Sequence, residues 1–162
     1  MSDALVSWNQ VVNTIRDLKF AILDKAIKLE KEHEQNKDLR DIISEANNNF
    51  VDASIFADTM VIIVNSTLMS AEARELAEEK LAKVGKDSLV CVTEELGKKL
   101  DDSIAKLNMY IEKYKGEQYI KELEDYVALL KKFRENLVGF GKEAIKLLPE
   151  PKRRKRSKNC YE

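Results

Sequence analysis

From residue 3 to about 35, apolar side chains recur at three-and-four spacing: Leu5, Trp8, Val12, Ile15, Ile22, Ala26 and Leu29, widened by Val11 and Leu18. That period puts them on one face of a helix, and the spacing predicts a long first helix with Ser2 or Asp3 as its cap. Its far end, Leu29-Glu30-Lys31-Glu32-His33-Glu34-Gln35, turns fully charged and is expected to project into solvent, with Asn36 as the stop. A second helix is predicted from Lys37, with Leu39, Ile42, Ile43 and Ala46 on its inner face. Asn47-Asn48-Asn49 then predicts a kink or break, because asparagine competes for backbone hydrogen bonds.

The stretch from Ala53 to Met69 is the most apolar in the chain, and Met60-Val61-Ile62-Ile63-Val64 runs without a polar interruption. A helix that is apolar all round belongs in protein or in lipid. A membrane-spanning helix needs about 20 mostly apolar residues. This stretch is shorter and carries Asp58, Asn65, Ser66 and Thr67, so it predicts a central helix wrapped by its neighbours. Met60 to Val64 is the segment that would enter lipid under the alternative reading. The β-branched residues from Thr59 to Val64 also suit a strand, but no second strand is evident to pair with it.

Beyond this centre the pattern returns to amphipathic helices. Ser70 predicts an N-cap, Ala73, Leu76, Ala77, Leu81 and Val84 a modest stripe, and Gly85 a C-terminal stop. Leu89, Val92, Leu96, Leu100, Ile104, Leu107, Ile111 and Tyr114 give the cleanest repeat, starting near Asp87 and ending at Gly116. Gly97 inside it costs about 1 kcal/mol against alanine and points to a close helix contact. The last helix is predicted over 117–148, with Ile120, Leu123, Val127, Leu130, Phe133, Leu137, Phe140, Ala144 and Leu147 as its stripe. Gly139 and Gly141 are candidates to bend it, and Pro149 stops it. The expected fold is therefore all-α: an antiparallel bundle of about four or five helices over 1–148, with a buried apolar central helix, followed by a disordered basic tail over 149–162.

Composition agrees with long helices, at 35% charged and 44% hydrophobic residues with only 5 Gly and 2 Pro. Charge adds an asymmetry. From Glu150 to Glu162, six basic residues against two acids leave the tail at +4 and, from an overall −1, the body at −5. An acidic body carries no strong nucleic-acid signal. The tail residues Lys152, Arg153, Arg154, Lys155, Arg156 and Lys158 form a run of the kind read by import receptors or by anionic membranes. Ser157 is a candidate phosphorylation site within it, and Cys160 a candidate palmitoylation site. No signal peptide opens the chain, so an intracellular, reducing compartment, nucleus or cytoplasm, is expected and a disulfide between Cys91 and Cys160 is not.

Candidate chemistry is sparse. His33 is the only histidine; Glu30-Lys31-Glu32-His33 matches a di-iron ligand pair once, where two are needed. No C-x-x-C motif or glycine-rich phosphate loop is present, and the pairs Glu94-Glu95 and Asp101-Asp102 are helix neighbours that do not face each other. Tyr110, Tyr114 and Tyr119 bracket the Gly116 turn and could present an aromatic contact surface. No catalytic residue, metal or cofactor is therefore expected. Long helices around an apolar centre resemble some helical pore-forming toxins and four-helix death-effector modules in architecture alone, with no shared motif, which does not fix function. The expected function is a non-enzymatic interaction module, with a protein partner or self-association, and the alternative is a membrane-active or lipid-binding bundle.

Overall fold

The computed structural model describes residues 3–149. Five helices account for it: α1 (Asp3–Glu32), α2 (Lys37–Met69), α3 (Ala71–Val84), α4 (Lys86–Lys113) and α5 (Ile120–Leu147). No strand occurs among the described residues, so Thr59 to Val64 is helical.

α1, α2, α4 and α5 run alternately up and down around one core. α1 packs on α5 and α2, and α4 packs on α5 and α2 from the other side. Cross-helix bonds fix the register. The Trp8 indole N–H donates to Asn65 Oδ1 at 3.1 Å, joining the start of α1 to the end of α2. Lys106 meets Glu45 at 2.9 Å between α4 and α2. Arg134 grips Asp101 through two bonds of 3.1 and 3.2 Å between α5 and α4. The two inner aromatic contacts are Trp8 on Phe140, with ring centres 5.2 Å apart, and Phe50 edge-on to Phe133 at 4.8 Å. α3 is an addition to this bundle: it folds back from α2 and packs on it rather than joining the four-helix core.

Several boundaries follow local chemistry. Ser70 Oγ accepts from the Ala73 amide and caps α3, and Gly85 ends α3 at φ 83°, a backbone angle that suits glycine. Asn36 does more than stop α1; its side chain accepts from the Leu39 amide and caps α2. The expected break at Asn47–Asn49 is absent, and α2 runs through it for 33 residues. Asn49 spends its side chain on α4 instead, donating to Ser103 Oγ at 2.8 Å and to the Lys99 carbonyl at 3.3 Å. An amide engaged across a helix interface no longer competes with its own backbone. At Gly97 the expected close contact is present: an added Cβ would sit 2.5 Å from Arg134 Cζ. α5 continues as one helix through Gly139 and Gly141.

Candidate functional site

The central apolar stretch is not wrapped on all sides. Ala53, Ser54, Ala57, Met60, Val64 and Thr67 face the core, and they are the only part of 53–69 that is fully covered. On the flank opposite them, Ile55, Ile62 and Met69 are 59%, 67% and 87% exposed. These three are seven residues apart and so stack on one side of the helix. Thr59 and Ser66 lie between them, also exposed, over about 21 Å of helix, and the exposed Asp58, three residues from Ile55 and four from Ile62, borders the same face while pairing with Lys19 of α1 at 2.7 Å. Of the candidate membrane-entering segment, Met60 and Val64 point into the core, Val61 is half-buried, and Ile62 and Ile63 face out. The expectation of a central helix covered all round is not met among the described residues: α3 folds back on α2 but leaves Ile55, Ile62 and Met69 exposed.

Where α3 leans on α2, a gap remains. It is a cavity of about 380 Å³ lined by Met60, Ile62, Ile63, Ser66 and Thr67 of α2, by Ala73, Leu76, Ala77, Lys80 and Leu81 of α3, and by Leu89 and Leu148. The lining is apolar almost throughout. Thr67 spends its hydroxyl on the Val64 carbonyl at 2.8 Å. Among the described residues, Lys80 is the one charged residue that lines the cavity, and it forms no ion pair there. Lys86 donates to the Leu148 carbonyl at 3.2 Å, so a second cation sits by the same end.

The opposite end of the bundle gathers the polar aromatics. Tyr110 and Tyr119 share a hydroxyl–hydroxyl bond of 3.0 Å, Asn36 donates to the Tyr110 hydroxyl at 3.0 Å, and His33 packs its ring 4.8 Å from that of Tyr119. His33 is therefore not a solvated helix end; its Nε2 is buried without a hydrogen-bond partner. Tyr110 is buried and Tyr114 and Tyr119 are partly buried, so these rings close the turn more than they present a contact surface. Burial, and then the bond from Tyr110, push the Tyr119 hydroxyl well above its ordinary range. Burial does the same to Tyr126, helped by the negative charge of Glu30.

Among the described residues, no group of three or more His, Cys, Asp or Glu could hold a metal ion. Cys91 is disulfide-bonded, against the expectation of a reduced thiol there. The tail residues Lys152, Arg153, Arg154, Lys155, Arg156, Ser157, Lys158 and Cys160 lie outside the described residues. Sequence reasoning had named Met60 to Val64 as a block and missed the division of α2 into an inner face and an outer stripe. The seven-residue spacing of Ile55, Ile62 and Met69 was the available signal. No protein-family model, curated protein or solved structure matches this chain. The class it belongs to is set by fold alone: an all-α bundle of five helices.

Proposed function

We propose that this protein is a non-enzymatic interaction module that docks another apolar helix along the outer stripe of α2, a second copy of itself being the simplest such partner. The observation that carries this reading is the run Ile55, Thr59, Ile62, Ser66 and Met69, bordered by the Lys19–Asp58 ion pair and left exposed on a helix whose other face is packed. Side chains seven residues apart fall on one helix face, and exposed apolar patches mark contact surfaces. The basic run Lys152 to Lys158 is the addressing element of this reading, taken by an import receptor or by an anionic membrane.

Sedimentation equilibrium tests it. The full chain is expected to self-associate with rising concentration, and Ile62→Glu to weaken that association at least about tenfold by placing a charge at the centre of the contact. A wild-type chain that stays monomeric throughout removes self-docking.

One observation supports a second reading, a membrane-active bundle: Lys37–Met69 is long and apolar enough to cross a bilayer, with only 33% of its most apolar window buried. Vesicle leakage that Ile62→Asp abolishes would favour it. Because Ile62 faces outward, that variant is expected to keep its fold, so the loss would report on lipid contact.

A further inference from the structure

The cavity between α2 and α3 borders the stripe and shares Ile62 and Ser66 with it, but it differs in shape. It is concave, and among the described residues its lining is apolar apart from Ser66, Thr67 and one cation, Lys80. At about 380 Å³ it lies near the lower end of ligand pockets, which run from about 300 to 1,000 Å³. That size suits one aliphatic chain and is small for a lipid with two. Charge selects the head group. Lys80 has no ion partner among the described residues, whereas Lys86 is engaged by the Leu148 carbonyl at 3.2 Å and does not line the cavity. None of the four carboxylates of α3, Glu72, Glu75, Glu78 and Glu79, lines the cavity. The concave shape and single-chain size of the space favour a single dissolved molecule over a membrane surface as the occupant.

We infer that this cavity binds a monomeric single-chain anionic amphiphile of the fatty-acid class, its chain among Met60, Ile63, Ala77 and Leu89 and its carboxylate at Lys80. The inference goes beyond the docking reading and does not depend on it.

The test uses the full chain and displacement of a fluorescent dansyl-undecanoic acid by dodecanoate, by dodecanol and by dodecyltrimethylammonium, all below their micelle concentrations. Saturable binding at one site is expected, with dodecanoate about tenfold tighter than dodecanol because an ionic hydrogen bond is added, and the cation weaker still. Lys80→Gln is expected to bring dodecanoate down to the level of dodecanol. Ala77→Phe, which fills the cavity, should abolish binding at unchanged helicity and unfolding midpoint. Ile55→Glu, on the stripe and away from the cavity, should leave binding intact while weakening self-association, so the two readings fail separately. Absence of saturable binding overturns the inference. So does equal binding of dodecanoate and dodecanol with Lys80→Gln silent. Flotation of the chain with anionic phosphatidylglycerol vesicles at high salt, where attraction by the tail is screened, would overturn it in favour of a membrane surface.

Discussion

Met60 and Ile62 sit two residues apart on α2 and face opposite ways, one 4% and the other 67% exposed. Truncating each to alanine separates a helix covered on one side from a helix covered all round. A buried Met→Ala change costs about 2–5 kcal/mol through lost transfer energy and the space left behind. Full burial of an isoleucine is worth about 1.5–3 kcal/mol. With only a third of Ile62 covered, its truncation removes about 0.5–1 kcal/mol, and alanine's better helix propensity returns about 0.4 kcal/mol. For a chain of this size each kcal/mol moves the thermal midpoint by about 2–4 °C. Met60→Ala should therefore lower it by roughly 5–15 °C and Ile62→Ala by no more than about 2 °C. Thermal unfolding followed by far-UV circular dichroism, checked against urea midpoints, measures both. Comparable losses from the two variants would refute the reasoning, because they would mean that the outer flank of α2 is packed.

The remaining predictions concern the far end of the bundle. Tyr126 is fully buried with no partner for its hydroxyl, so Tyr126→Phe should be neutral or stabilising at pH 7. The raised pKa of Tyr126 also sets a sign: the native state holds this proton after the unfolded chain has released it. Stability from this group is thus complete below about pH 10 and falls above it by up to about 1.4 kcal/mol per pH unit. Urea midpoints from pH 8 to 11 should fall less steeply in Tyr126→Phe than in the parent, and identical slopes would count against the assignment. Gly116 holds the α4–α5 turn at φ 104° with open space around it. Gly116→Ala should cost about 1–2 kcal/mol through backbone strain alone, read as a lower urea midpoint at unchanged slope.

How much of this was legible in the sequence depended on whether the deciding contact was local. Ser70 and Gly85 were readable because a cap bonds within three residues and a stop needs only a permissive backbone. The stripe of α4 was readable because a single face carries it. Asn49 was not, because Ser103 and Lys99, the partners that release it from its own backbone, lie fifty or more residues away. His33 looked solvated among its glutamates, and only the fold sets Tyr119 against it. The largest miss, the open flank of α2, has the same origin. Composition shows how apolar a helix is. Which neighbours cover it depends on where α3 comes to rest, and α3 has too weak a stripe to announce that position.

The central claim, that the outer stripe of α2 is open in the monomer and is the surface that docks, is tested most directly by methionine oxidation followed by mass spectrometry across protein concentration. Three methionines serve as reporters: Met69 on the stripe at 87% exposure, Met109 elsewhere on the surface at 72%, and Met60 in the core at 4%. In dilute solution Met69 and Met109 should oxidise readily and Met60 should resist, since sulfoxide formation follows access. Raising the concentration should protect Met69 while Met109 continues to react. Protection of Met69 at every dilution would mean that the flank is covered within one chain, and Met69 reacting alongside Met109 at every concentration would mean that the stripe does not dock a second copy.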